Sequence, residues 1–177
     1  ALMSPVESID IRELIELAFK TSKNPVLVAL DGVTDPHNLG AIARSVECSG
    51  AQGMILPLHN SAPVTPVAVK TSAGALEHLP IAKVGNLVQT IEILKEAGFW
   101  IAGTAGEAET SYDANVYDRP MVIITGSEGE GMRPSTRKHC DMLLRIPLAG
   151  RVSSLNASVA TAVILFEIAR QRKNNGN

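Results

Sequence analysis

Leu144-Arg-Ile-Pro-Leu-Ala-Gly-Arg-Val-Ser-Ser-Leu-Asn-Ala-Ser-Val159 runs from an apolar strand through a small polar turn into a long helix. A strand that ends at Pro147, a turn holding Gly150, Ser153, Ser154 and Asn156, and a helix close behind gather free backbone N–H groups and hydroxyls at one strand end. Two readings stand side by side. Ser153, Ser154 and Asn156 are good helix-capping residues, and the same groups suit a ligand site at a strand end. A strand feeding directly into a helix also sets the theme of the whole chain.

Upstream, the same alternation recurs. Ile11, Leu14, Ile15 and Ala18 share one face of an amphipathic helix over 9–20, with Asp10 as its N-cap, and Lys23-Asn-Pro25 ends it. Val26-Leu-Val-Ala-Leu30 is a continuous apolar run, the mark of a strand covered on both faces and therefore of a parallel sheet. A helix over 38–49, capped by Asn38, puts Leu39, Ile42, Ala43 and Val46 inward, and Gly53-Met-Ile-Leu56 is the next strand. The patterns then predict a weaker helix over 67–79, a strand over 81–84, a helix over 87–97 and strands over 99–102 and 121–125. A helical turn over 134–139 and a sixth strand over 142–146 complete the set. The fold class is α/β, a mainly parallel six-stranded sheet flanked by helices. Residues 1–24 read as a helix and linker remnant, 25–177 as the catalytic domain described below, and the chain from Lys173 as a frayed polar tail.

The last helix, 156–172, does not confine its apolar residues to one stripe. Val159, Val163 and Phe166 line one side, while Ile164, Leu165 and Ile168 occupy much of the rest. A helix apolar nearly all round is covered on two sides, which predicts a homodimer through this C-terminal helix.

At 177 residues, with 45% hydrophobic and 19% charged residues, the chain suits one domain with a sizeable core. No apolar run approaches the roughly 18 residues of a membrane span, and no signal-peptide pattern opens it, so a cytoplasmic protein is expected. Cys48 and Cys140 show no metal-ligand spacing and read as buried free thiols, and no metal is expected. A net charge of −2 and 3% aromatics argue against a domain that grips nucleic acid unaided.

Three strand ends concentrate glycines and polar groups. Asp31-Gly-Val-Thr-Asp-Pro-His-Asn-Leu-Gly-Ala-Ile-Ala-Arg44 carries Asn38 and, two turns into the helix, Arg44. Thr125-Gly-Ser-Glu-Gly-Glu-Gly-Met132 places three glycines and two carboxylates after a buried strand, in a spacing that is neither a dinucleotide fingerprint nor a P-loop. The third is the stretch quoted first, with Gly103-Thr-Ala-Gly106 as a lesser neighbour. The residues alone give an α/β domain with a glycine-lined site for a nucleoside-like ligand.

Together the three clusters resemble the motifs of the SpoU-type RNA ribose 2′-O-methyltransferases of the SPOUT superfamily. Asn38-Leu-Gly-Ala-Ile-Ala-Arg44 is similar to the first motif, Ile123-Ile-Thr-Gly-Ser-Glu-Gly-Glu-Gly131 to the second and Ile146-Pro-Leu-Ala-Gly-Arg-Val-Ser-Ser-Leu-Asn-Ala-Ser158 to the third. The likeness runs from about Pro25 to Arg172. Leu30 to Gly40 and Gly103-Thr-Ala-Gly-Glu107 look most like the RlmB type, which methylates a guanosine ribose in large-subunit (23S) ribosomal RNA.

The resemblance implies a C-terminal trefoil knot, a dimer and an S-adenosylmethionine pocket. Carried over by position, Thr104, Ala105, Gly126, Ile146, Leu155 and Asn156 contact the cofactor. Arg44, Glu128 and Asn156, with Asn38 and Ser154 in support, become the catalytic candidates. Attack of a ribose 2′-hydroxyl on the methyl group demands alignment above all. A guanidinium, with a pKa above about 12, is a poor base. Arg44 therefore reads first as the group that binds RNA phosphate and orients the ribose, with proton removal as the lesser role, while Glu128 orients Arg44 or receives the proton through water. The fuller family pattern carries an N-terminal RNA-binding domain, so this chain is expected to be the catalytic domain of a longer protein, with residues 1–24 as the remnant of a linker to that domain. Transfer RNA is the alternative substrate, and a knotted domain that binds RNA or cofactor without catalysis is the alternative class.

Overall fold

The computed structural model describes residues 6–176, so residues 1–5 of the proposed N-terminal segment lie outside the described part. In chain order the elements are α1 (Ile11–Thr21), β1 (Val26–Asp31), α2 (Pro36–Cys48), β2 (Gly53–Pro57), α3 (Pro66–Thr71), α4 (Ala75–His78) and β3 (Ile81–Val84). There follow α5 (Leu87–Glu96), β4 (Trp100–Thr104), β5 (Thr110–Ser111), β6 (Met121–Gly126), α6 (Pro134–Lys138), β7 (Met142–Arg145) and α7 (Ala157–Asn174). All seven strands form one sheet in the order β3-β2-β1-β6-β4-β7-β5, and every pairing is parallel.

The apolar runs explain the layers. Along β1, Val26, Val28 and Leu30 face a core shared with α2, α3, α4 and α7, while Leu27 and Ala29 face a second core shared with α1 and α5. β6 alternates in step, with Met121 and Ile123 in the first layer and Val122 and Ile124 in the second. Strands buried on both faces have no polar side to alternate with, which is why they read as continuous apolar stretches. On α1, Leu14 and Ala18 are buried in the second layer, and the Asp10 carboxylate caps the helix by accepting from the Arg12 N–H at 2.9 Å.

Several expectations are corrected. The sheet has seven strands, not six, because Thr110–Ser111 pairs with β7 through two residues, too short for a period-two signal. The helix expected over 67–79 is two, since Ala73 and Gly74 take left-handed backbone angles between α3 and α4. The N-cap of α2 is Asp35, whose carboxylate accepts from the His37 N–H at 2.8 Å; Asn38 lies inside the first turn, because Pro36 fits the start of the helix. β7 stops at Arg145 rather than running to Pro147. Cys48 is exposed on α2, while Cys140 is half-buried. Helix α7 continues through Lys173 to Asn174 instead of fraying, because Arg172 is tied to the body of the domain. Its guanidinium donates to the carbonyls of Asn24, Tyr117 and Arg119.

The strand order positions the site. β6 enters between β1 and β4, and β7 then pairs outside β4, so the C-terminal ends of β1, β6, β4 and β7 lie side by side. From β7 the chain recrosses this end of the sheet to reach α7, which packs on β6 and α2. Loops after β4, β6 and β7 therefore meet at one place.

Candidate active site

A cavity of about 310 Å³ opens where those three loops meet, a size suited to a small organic ligand. The β4–β5 loop supplies Thr104, Ala105 and Glu107, the loop after β6 supplies Gly126 to Met132, and the segment after β7 supplies Ile146, Ser153, Ser154 and Leu155. Thr104, Ala105, Gly126, Ile146 and Leu155, expected at the cofactor from sequence, all line it, as do Ser154 and Glu128.

Asn156, also expected at the cofactor, is not among the lining residues, although its chain neighbours Leu155 and Ala157 are, and two hydrogen bonds orient its side chain. Its side-chain oxygen accepts from the Ser158 N–H at 2.9 Å, which makes it the N-cap of α7. The amide is thereby turned so that its NH₂ faces outward, and it donates to the Glu128 carboxylate at 3.3 Å. The two readings of the first-quoted stretch are thus divided among its residues. Asn156 caps the helix, whereas Ser153 and Ser154 line the cavity.

Arg44 and Asn38 are not among the cavity's lining residues. Both sit on α2, beyond the end of β1, with Arg44 exposed and Asn38 half-buried. The buried face of α2, made of Leu39, Ile42, Ala43 and Val46, fixes the helix against the core and leaves Arg44 outside. The structure therefore brings together the second and third motifs directly and places the first one strand away.

Two motif glycines have packing reasons. A Cβ on Gly40 would stand 2.5 Å from the Ala68 carbonyl oxygen, so this glycine lets α3 lie close against α2. A Cβ on Gly126 would stand 2.3 Å from both the Gly131 carbonyl carbon and the Met132 nitrogen. Gly126 thus lets the loop after β6 fold back on its own strand, where Ser127 and Gly131 exchange backbone hydrogen bonds at 3.2 and 2.9 Å. The loop's far end is held by Arg133, whose backbone N–H and Nε donate to the buried Asp31 carboxylate at 2.9 and 2.8 Å.

Sequence reading missed Arg137 and Thr161, which also line the cavity. Arg137 arrives from α6, a helix without any glycine cluster, through an ion pair with Glu107. The Glu107 carboxyl is held below the usual range by its own backbone N–H and then by Arg137. Thr161 donates to the Ala157 carbonyl at 2.8 Å, so in its 2.6 Å contact with Thr125 the hydrogen comes from Thr125. This buried pair joins β6 to α7 under the cavity floor. The lining as a whole is apolar side chains, hydroxyls, three carboxylates and two arginines, with Arg137 committed to Glu107 and Arg145 at one edge. The three carboxylates beside apolar side chains and hydroxyls fit a nucleoside bearing a positive centre. Among the described residues there is no cluster of His, Cys, Asp or Glu able to hold a metal, and no helix is long and apolar enough to cross a membrane.

The comparisons with known proteins agree with this geometry. A family model described as the SpoU rRNA Methylase family matches residues 25–166. A Synechocystis protein named as an uncharacterized tRNA/rRNA methyltransferase is 50% identical over 172 residues, covering 97% of this chain and 45% of its own length. The 23S rRNA (guanosine-2′-O-)-methyltransferase RlmB of Pseudomonas putida is 51% identical over 160 residues, covering 90% of this chain and 64% of its own. The chain therefore spans between about half and two thirds of these relatives. Among solved structures, the SpoU methyltransferase AviRb of Streptomyces viridochromogenes, crystallised with AdoMet, is similar at a TM-score of 0.79 and 32% identity, over 85% of this chain and 62% of that one. The C-terminal trefoil knot belongs to this shared fold.

Proposed function

Because the chain belongs to the SpoU rRNA methylase family, we propose that its cavity holds S-adenosylmethionine and that it methylates the 2′-hydroxyl of a guanosine ribose in 23S ribosomal RNA, in the cytoplasm. The observation that carries this reading is the cavity where the second and third motifs meet, lined by Glu128 and Ser154, with Asn156 donating to the Glu128 carboxylate. The cofactor supplies an electrophilic methyl group on a sulfonium. What the protein supplies is position. Thr104, Ala105, Gly126, Ile146 and Leu155 hold the nucleoside, with Ile146 and Leu155 giving an apolar seat. Glu128, which accepts a hydrogen bond from Asn156, receives the proton of the hydroxyl through a water or orients Arg44. Arg44, exposed on α2 with Asn38 one and a half turns before it, takes the RNA phosphate and turns the ribose toward the cavity.

A homodimer through α7 is part of the same proposal. Val159 and Phe166 are 47% and 49% exposed on the face of α7 turned away from Ile164, Leu165 and Ile168, with Val163 between them. The relatives are longer than the matched segment, which supports reading 25–177 as the catalytic part of a protein whose hold on RNA comes partly from elsewhere.

Calorimetry with S-adenosylmethionine, followed by mapping of methylated riboses in unmodified 23S rRNA and in transfer RNA after incubation with the chain, tests the reading. Uptake of the cofactor with a new 2′-O-methylguanosine in 23S rRNA is expected, and methylation confined to transfer RNA would replace the substrate. Arg44→Ala is expected to abolish transfer while leaving cofactor affinity unchanged. A fully active variant would remove Arg44 from the mechanism.

A further inference from the structure

We propose that a recess beside the cavity, flanked by Arg145 and Arg151, binds a phosphodiester of the RNA strand next to the target nucleotide. The recess has a volume of about 390 Å³ and shares Gly106, Arg145, Ile146, Leu148 and Ser153 with the larger cavity, so the two are continuous. A nucleotide seated in it lies one step along the strand from a ribose at the cavity mouth. The inference rests on the methyltransferase reading for the identity of the strand, and on the charge arrangement for the site.

That arrangement is unusual in a chain of net charge −2. Most of its arginines are spoken for: Arg119, Arg133, Arg137 and Arg170 pair with Asp118, Asp31, Glu107 and Glu167, and Arg172 is bound to backbone carbonyls. Arg12 lies in a groove on α1 with Glu16 and Glu96. Arg145 and Arg151 are exposed, have no carboxylate at ion-pair distance among the described residues, and share a recess that no acidic side chain lines. Two unpaired guanidiniums around one hollow make a local positive field, and each presents a planar fork that matches phosphate oxygens in pairs. The rest of the rim suits the remainder of a nucleotide. Leu148 and Val152, 43% and 77% exposed, offer apolar surface to a base or sugar face. Gly150 leaves open space where a side chain would stand. This also answers the acidic composition, since the attraction for RNA is concentrated at one strand end instead of being spread over the surface.

The test is a salt titration of the 177-residue chain with a short fluorescein-labelled single-stranded RNA containing guanosine. Arg151, which does not line the cofactor cavity, is the primary variant. Arg151→Gln should reduce the slope of log affinity against log salt by about 0.7, the value for one phosphate contact on a single strand. Arg151→Lys should keep the slope. Arg145→Gln should lower it by a similar amount. In methyl transfer Arg151→Gln should raise KM for RNA with kcat unchanged, and calorimetry should show the same affinity for S-adenosylmethionine. An unchanged slope, no binding by the parent chain at low salt, an equal loss of cofactor affinity, or a change from dimer to monomer would overturn the subsite, the last by making the recess a contact between copies. Failure of the parent chain to take up S-adenosylmethionine would instead overturn the methyltransferase reading, and the salt titration is decided independently of it.

Discussion

Replacing Gly126 by Ala separates a glycine needed for backbone packing from one needed only for a turn. An ideal Cβ there stands 2.3 Å from two backbone atoms and 2.8 Å from the Gly131 carbonyl oxygen, whereas ordinary contact begins at 3.4 Å. The loop would have to retreat by roughly 1 Å, and backbone atoms cannot swing aside as a side-chain tip does. Arg133 pins the far end to Asp31, so the displacement falls on Gly131 and on its hydrogen bonds with Ser127. Overpacking costs about 1–3 kcal/mol, and one lost hydrogen bond adds about 1 kcal/mol, for a total of roughly 3 kcal/mol. At about 2–4 °C per kcal/mol for a chain of this size, the melting temperature should fall by about 6–12 °C. The same loop walls the cavity, so affinity for S-adenosylmethionine should fall by about tenfold or more, equivalent to at least about 1.4 kcal/mol. Gly150→Ala is the control, because nothing lies within 4 Å of its added Cβ. Its stability should change by less than about 0.5 kcal/mol. Calorimetric melts and cofactor titrations of both variants decide the matter, and equal behaviour of the two would refute the packing argument.

Arg172→Gln strips the partner from the carbonyls of Asn24, Tyr117 and Arg119 and should destabilise the chain by about 2–3 kcal/mol, read as a lower urea midpoint at constant slope. Phe166→Glu puts a charge on the exposed stripe of α7 and should leave the fold intact while light scattering reports a monomer; a dimeric variant would remove α7 from the interface. Burial pushes the Cys140 thiol from 9.0 up to about 11. The folded chain therefore holds that proton where the unfolded chain has lost it, and the associated stability is whole below pH 9 and declines between pH 9 and 11. Cys140→Ala should flatten that part of the pH profile relative to the parent chain, and an unaltered profile would count against the burial argument.

The layered core was legible because its strands are buried on both faces, and a run such as Met121-Val-Ile-Ile-Thr125 admits few other readings. Thr110–Ser111 was not, since two residues joined to one neighbour leave no periodicity to detect. At the site, polar clusters at strand ends pointed to Thr104, Gly126, Glu128 and Ser154, because loops at the carboxyl ends of parallel strands converge whatever their separation in sequence. Arg137 and Thr161 were hidden for the opposite reason. Each belongs to a helix by its local pattern and reaches the cavity through a single partner, Glu107 for one and Thr125 for the other. The cap of α2 was misplaced by three residues because Asp35 and Asn38 are both good caps, and Pro36 at the first helical position decides between them.

Asn156 shows why one residue type serves both the fold and the chemistry. A helix N-cap needs only an acceptor, which Ser, Thr or Asp would supply as well. The exposed Glu128 carboxylate takes a donor as well, and the outward half of the Asn156 amide supplies it at 3.3 Å. Ser would cap α7 and leave Glu128 without it. Asp would cap α7 and set a second negative charge beside the first, with no donor between them. Asn alone offers an acceptor on one side and a donor on the other in one rigid plane. The helix fixes the plane through the Ser158 N–H, and the plane fixes the carboxylate. The start of α7 is therefore tied to the wall of the cavity as a consequence of how the helix is capped. Any variant that shifts the first turn of α7 will also move the donor that the Glu128 carboxylate accepts from.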